Sequence, residues 1–123
     1  MREYLVVGLG RFGTSIAQTL YESNEEVLAI DVDEELIQEA INGNIVDNAV
    51  IVDATDMKSL KELGVSNYDV AFVCTGDVEA SIMITLNLKE LGIEKIIAKA
   101  NSKSHGKVLA KIGATKVIYP EEY

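Results

Sequence analysis

Three glycines stand in the spacing Gly8-Leu9-Gly10-Arg11-Phe12-Gly13, directly after the apolar run Tyr4-Leu5-Val6-Val7. From Arg11 to Tyr21 the chain then reads as an amphipathic helix, with Phe12, Ile16, Ala17 and Leu20 on one face. The order is strand, glycine turn, helix, and its chemistry is anion binding. Gly8 permits the tight turn, Gly10 lets the backbone lie against a diphosphate, and Gly13 lets helix and strand pack closely. The N–H groups of the first helical turn would face the phosphates, and the helix dipole adds roughly 0.3–1 kcal/mol in favour of an anion there.

A second strand, Val27-Leu28-Ala29-Ile30, ends in Asp31 and is followed by Val32. Asp31 lies eighteen positions beyond Gly13, where an acid that binds an adenosine ribose is expected. A carboxylate at that point accepts hydrogen bonds from both ribose hydroxyls and repels a 2′-phosphate. The spacing therefore points to NAD(H) or another adenine nucleotide in preference to NADP(H). A solvated strand end is the plainer alternative for the same residue.

The elements that must position these groups recur along the whole chain. Asp33 reads as the N-cap of a helix running to about Asn42, with Glu34 and Glu35 in its positive first turn and Gly43 ending it. Asn48 to Val52 is a third strand, closing in Asp53-Ala54-Thr55, and a short helix from Asp56 to Leu63 is stopped by Gly64. Asp69 to Cys74 is an unbroken apolar strand of the kind buried on both faces. It leads into Thr75-Gly76-Asp77 and another helix. Strand five spans Glu94 to Ala100, a helix runs from Ser102 to Ile112 and closes at Gly113, and Thr115 to Tyr119 is strand six.

Strands alternating with helices over short connections predict an α/β Rossmann-type fold. It is a doubly wound parallel sheet of six strands in the order 3-2-1-4-5-6, built as a single domain. Ligands of such sheets sit outside the carboxyl ends of the strands at the switch point, here between strands one and four, so Thr75 and Gly76 are expected to line the nucleotide. Asp77 reads as an N-cap. The helix between Asp77 and Gly92 is apolar around its whole circumference, which leads to the expectation of a subunit contact along it, the alternative being a helix embedded in the monomer.

Composition narrows the function classes. At 123 residues, the chain is long enough for a real core but too short for a nucleotide domain plus a catalytic one. Eleven basic against twenty acidic residues give a net charge of −9, which repels nucleic-acid phosphates and anionic lipid, so neither is an expected partner. No apolar run approaches the roughly 18 residues of a membrane helix, and no signal peptide opens the chain, so cytoplasmic residence is the expectation. The single cysteine, Cys74, reads as a buried small hydrophobe.

The chain resembles the N-terminal regulatory domain of potassium channels and transporters, the RCK or KTN domain of TrkA and KtrA subunits. The likeness runs from Tyr4 to Glu122. It rests on Val7 to Gly13, Ala29-Ile30-Asp31, Asp53-Ala54-Thr55, Lys107-Val108-Leu109 with Ile112-Gly113-Ala114, and Val117-Ile118-Tyr119-Pro120-Glu121. The resemblance implies a cytoplasmic gating subunit that binds ATP, ADP or NAD(H). It also implies homodimers assembling into a ring, octameric in its full form, beneath a potassium-conducting membrane subunit, so that the protein is peripheral to the membrane. The implied nucleotide contacts are Gly8, Leu9, Gly10, Arg11, Phe12, Gly13, Asp31, Val32, Asp53, Ala54, Thr55, Thr75, Gly76 and Lys99. Arg11 would reach the terminal phosphates, for which a guanidinium is the natural fork, and Glu121 would hold Mg²⁺ or Ca²⁺ beside them as a hard oxygen ligand.

Two departures stand out. Val52 precedes Asp53 where many members have glycine, and Lys99 replaces a common arginine, a point charge in place of a fork. Residues 1–123 are read as the nucleotide-binding domain alone, either a minimal protein or an isolated domain, without the C-terminal domain that usually follows. The competing classes are a small NAD-dependent oxidoreductase and an NAD-sensing regulator fragment. The oxidoreductase finds little support, since the only histidine, His105, is expected at the surface and no Ser/Tyr/Lys or Cys/His arrangement is evident. A binding module without enzymatic activity is the expectation.

Overall fold

The β-branched and small apolar runs form strands, and each polar turn that follows caps a helix. In the computed structural model, which describes residues 2–120, these are β1 (Glu3–Val7), α1 (Arg11–Glu22), β2 (Glu26–Asp31), α2 (Glu34–Asn42), β3 (Asn48–Ile51), α3 (Met57–Leu63), β4 (Val70–Val73), α4 (Val78–Glu90), β5 (Lys95–Lys99), α5 (Lys103–Ile112) and β6 (Lys116–Ile118). The strands make one parallel sheet in the order β3-β2-β1-β4-β5-β6. The expected topology is therefore present.

Local chemistry sets the helix boundaries. Asp33 accepts from the Glu35 N–H at 2.9 Å, Asp77 from Ala80 N–H at 2.8 Å, and Ser102 from His105 N–H at 3.1 Å, so each satisfies an amide that the first turn leaves without an intrahelical partner. Asp56 is the N-cap residue of α3 and binds the Ser59 hydroxyl instead. Gly64 ends α3 in the left-handed region at φ 69°. Several strands are shorter than the apolar runs suggest. β4 stops at Val73, one residue before Cys74, and β6 pairs only Lys116–Ile118 with Ile97–Lys99. An apolar run can continue past the last residue that has a partner strand beside it, but the ladder cannot.

Alternation along each strand divides the core. Leu5, Val7, Ile30, Ala71, Val73, Ile96 and Ala98 face α3, α4 and α5 through Leu60, Ile84, Leu88 and Leu109. Val6, Val27 and Ala29 face α1 and α2 through Ala17, Ile37 and Ala40. The chain thus leaves β1 toward β2 with its helices on one face and leaves β4 toward β5 with its helices on the other, which opens a crevice above β1 and β4. α4 is more embedded than its apolar circumference suggests: Ile84 and Leu88 are buried, Ile82 packs against the core, and Val78 and Met83 are each 43% exposed.

The close approach of α1 to the turn after β1 depends on one missing methyl group. A Cβ added at Gly13 would overlap the carbonyl oxygen of Gly8 and lie 3.1 Å from Cβ of Cys74. Gly13→Ala should lower stability by about 1–3 kcal/mol, the usual cost of overpacking, seen as a lower urea midpoint at unchanged slope. At Gly10 an added Cβ meets nothing within 4 Å, so Gly10→Ala should stay within about 1 kcal/mol of the parent, the loss of a good N-cap residue.

Candidate functional site

The crevice is built from the ends of five strands. After β1 the chain turns at Gly8, whose φ of 100° suits glycine and whose added Cβ would meet Thr75 N at 2.9 Å. Gly8 N–H donates to the Ile30 carbonyl at 2.9 Å, which ties the turn to β2. Gly10 is the N-cap of α1; it offers no side chain to the first turn, and that turn contains no acid. The open space at Gly10 leaves these amides accessible from the crevice, the geometry that suits a phosphate.

Asp31 closes the next wall. One carboxylate oxygen accepts from Leu9 N–H at 2.7 Å and the other from Asp33 N–H at 2.9 Å. The carboxylate therefore stiffens both the glycine turn and the β2–α2 loop, while each oxygen retains accepting capacity for hydroxyl donors. Past β3, Asp53 accepts from the amide and the hydroxyl of Thr55 at 3.0 and 2.6 Å. The same loop is held from behind by Asn87 of α4, whose side-chain amide donates to the carbonyls of Ala54 and Thr55, both at 3.0 Å.

These segments enclose a cavity of about 360 Å³, within the range of small-molecule sites. Gly8, Gly10, Arg11 and Phe12 line it from the turn, Asp31 and Val32 from the end of β2, Asp53 to Thr55 from the end of β3, and Thr75, Gly76 and Lys99 from the ends of β4 and β5. Arg11, Phe12 and Lys99 also line an adjoining hollow of about 370 Å³ with Ser15, Asn101 and Pro120. Among the sequence-predicted residues, Leu9 and Gly13 are not in the lining. Leu9 is 2% exposed and packs with Val6 and Ala17 beneath the turn, and Gly13 is buried against Gly8. Glu121 lies outside the described residues.

Sequence reasoning missed the apolar floor: Val7, Leu36, Cys74, Ala80 and Ile84, with Val52, which had been noticed only as a departure. The signal was adjacency, since Val7, Val52 and Cys74 each precede an expected lining residue by one position. His105 is a correction. It is 4% exposed, not on the surface, because α5 turns that side toward α4, where its ring meets Ser81. Burial, and then the charge of Lys99, push its pKa below the ordinary histidine value. A second hollow of about 530 Å³ at the opposite end of the strands is walled by Glu22, Glu25, Glu26 and Asp47 and is unsuited to an anion. Among the described residues no group of three or more His, Cys, Asp or Glu side chains is placed to hold a metal ion.

A sequence profile of the TrkA-N domain matches residues 4–120, nearly all of the sheet and every segment of the crevice. The chain belongs to the TrkA-N domain family. Within it, the chain is 47% identical over 121 residues to Ktr system potassium uptake protein C of Bacillus subtilis, a match covering 98% of this chain and 54% of that protein. It thus spans about half the length of the curated relatives it matches. Among solved structures, the NAD(P)-binding domain of an exopolyphosphatase-related protein from Archaeoglobus fulgidus shares the fold with a TM-score of 0.88 at 23% identity, over 99% of this chain and 90% of that one. A GsuK channel bound to NAD shares it with a TM-score of 0.84 at 18% identity, over 95% of this chain and 21% of that one.

In this TrkA-N domain the cavity thiol is inert. Cys74 is buried, and burial pushes its pKa up to about 12 against a smaller opposing effect of Lys99. The thiolate is the reactive form, so iodoacetamide at pH 8 should leave folded Cys74 unmodified over a period that fully alkylates the urea-unfolded chain, as mass spectrometry would show.

Proposed function

We propose that this TrkA-N domain binds an adenine nucleotide, ATP/ADP or NAD(H), at the carboxyl ends of β1, β2 and β4, and serves as the sensing part of a regulatory subunit that gates potassium uptake. The observation that carries the nucleotide assignment is the convergence on one cavity of an uncapped helix N-terminus, the Asp31 carboxylate and the two cations Arg11 and Lys99. Amides of the first turn of α1 suit a diphosphate, Asp31 suits vicinal ribose hydroxyls, and the apolar floor with Val52 and Leu36 suits an adenine face. The solved neighbour whose name records bound NAD supports the same ligand class.

The potassium role draws on the relative's name, Ktr system potassium uptake protein C. In that setting the domain is a cytoplasmic, membrane-peripheral homodimer, within an octameric ring, that contacts a membrane transporter subunit. Gating requires that two ligands interact differently with two arrangements of the subunits, because equal affinity for both moves nothing. Arg11 is the discriminating residue: it borders both the main cavity and the adjoining hollow, where a third phosphate would extend beyond the helix N-terminus. Glu121 would supply an oxygen ligand for Mg²⁺ or Ca²⁺ beside that phosphate.

Binding without catalysis fits the lining. Its titratable side chains are Arg11, Asp31, Asp53, Cys74 and Lys99; both aspartates are engaged by backbone amides, Cys74 is a neutral thiol, and His105 is turned to Ser81 and the Asn101 backbone.

A thermal-shift panel of ATP, ADP, AMP, NAD⁺, NADH and NADP⁺, with and without Mg²⁺, tests the assignment. A ligand at about 100 times its Kd adds about 2.7 kcal/mol, a rise on the order of 10 °C for a domain of this size, with NADP⁺ the weakest of the dinucleotides. Absence of a shift with every nucleotide would sink the proposal. Arg11→Ala should weaken ATP by about 10-fold to 100-fold, the worth of a hydrogen bond to a charged group, and ADP by less. Equal losses in calorimetry would remove Arg11 from the discriminating role.

A further inference from the structure

Behind the cavity, a line of hydrogen bonds joins the β4–α4 loop to α5. Asn101, just after β5, donates its side-chain amide to the carbonyl of Gly76 at 2.8 Å, and Gly76 lines the cavity. The backbone N–H of Asn101 donates to Nδ1 of His105 at 3.0 Å. Because Nδ1 accepts, the neutral ring carries its proton on Nε2, which lies 2.7 Å from Ser81 Oγ. Ser81 in turn donates to the Val78 carbonyl in the first turn of α4 at 2.9 Å. His105 and Ser81 are buried, whereas Asn101 is exposed and borders the hollow next to the cavity. Every donor in this chain has an acceptor only while the ring is neutral in this tautomer.

We infer that Asn101 and His105 are positioning residues for nucleotide binding. The neutral imidazole holds the Asn101 amide, so that the Asn101 carboxamide holds the Gly76 carbonyl and keeps the Thr75–Gly76 loop in the shape a ligand meets. This rests on the assignment of the cavity as a nucleotide site. Neither residue is itself in the lining of the main cavity; they act through Gly76.

Protonation of His105 would place an Nδ1–H donor against the Asn101 N–H, and two donors cannot bond. The groups around the ring decide when this happens. From β5, Lys99 brings a positive charge that opposes a second one. From α4, Ser81 and the Val78 carbonyl contribute neutral partners, with Asp77 at the N-cap and Glu79 in the first turn. α5 itself carries Lys103 and Lys107, and just after β6 the Tyr119 hydroxyl lies against Gly106. Burial and Lys99 lower the ring's proton affinity in the folded state. The sign follows: the unfolded chain binds the proton more readily, so the lock's contribution to stability is full above the ordinary histidine value of about 6.5 and declines below it, and the lock itself opens as pH falls through the folded ring's own lowered value.

Calorimetric titration of NAD⁺ and of ADP from pH 7.5 to pH 5, on the parent, His105→Gln and Asn101→Ala, tests the inference. The glutamine amide can accept from Asn101 and donate to Ser81 but does not titrate. Affinity of the parent should fall by about threefold to tenfold more than that of His105→Gln over this range, the worth of one neutral hydrogen bond; the comparison cancels titration of the ligand itself. Asn101→Ala, an exposed change that should leave the fold intact, should bind about threefold to tenfold more weakly already at pH 7.5. In the ligand-free parent, the Gly76 and Asp77 amide resonances should titrate together with the His105 ring, and a Gly76 resonance indifferent to that titration would overturn the inference whether or not His105→Gln folds. Parent protein that binds neither ligand at pH 7.5 would overturn the nucleotide assignment and the positioning role with it. Binding with both variants equal to the parent at every pH would overturn the positioning role alone.

Discussion

The contact on which the crevice depends is the approach of α1 to the turn after β1, where Gly13 presents only a hydrogen to the Gly8 carbonyl. That approach aims the start of the helix at the carboxyl end of the strand and leaves its amides facing open space. Asp31 makes the same turn rigid from the other side by accepting from Leu9 N–H at 2.7 Å. One carboxylate thus fixes the peptide that must not move and also borders the space where a ligand's hydroxyls would come. A neutral side chain of similar size would keep the second property and weaken the first, since an ionised acceptor bonds amides more strongly.

Parallel pairing extends this local geometry to the whole domain. Because β1 lies between β2 and β4, and the helices on either side of it pack on opposite faces, no crossover covers the region above β1 and β4. The two cations that border the cavity, Arg11 and Lys99, come from opposite sides of that gap. In a chain with a net charge of −9, these two cations offset the carboxylates of Asp31 and Asp53 in the same lining.

Much of this was legible in the chain because it is written in local terms. Glycine spacing, apolar runs and acids at helix starts each act within a few residues, and they placed the strand order and the caps at Asp33 and Asp77 correctly. What failed was tertiary. His105 occupies a helical position that local pattern leaves at the surface, and only the packing of α5 against α4 brings Ser81 to its ring. Leu9 belongs to the motif in sequence yet turns its side chain into the core beside Val6 and Ala17, on the face opposite Leu5 and Val7, because the positive φ of Gly8 breaks the alternation that would have placed it with them. Asn87, in the middle of a helix that reads as apolar, carried no sign that it would hold the Ala54 and Thr55 carbonyls across 32 or 33 residues of chain.

Two of the three polar residues buried on α4, Ser81 and Asn87, then make physical sense together, whereas the Thr85 hydroxyl is buried without a hydrogen-bond partner. A helix packed on a sheet gains stability from an apolar stripe, and a buried amide or hydroxyl is costly unless its hydrogen bonds are made. Asn87 makes its bonds to the loop after β3, and Ser81 makes its own to His105, which holds Asn101 and, through it, the loop after β4. One rigid helix is therefore joined by directional bonds to both ends of the crevice. Apolar packing alone would let either loop slide with little change in energy, because it has no preferred angle. Hydrogen bonds do not permit that: displacing the loop after β3 leaves the buried Asn87 amide unpaired, and displacing the loop after β4 breaks the bond from Asn101 to Gly76, so the two ends of the crevice are constrained to keep a common geometry.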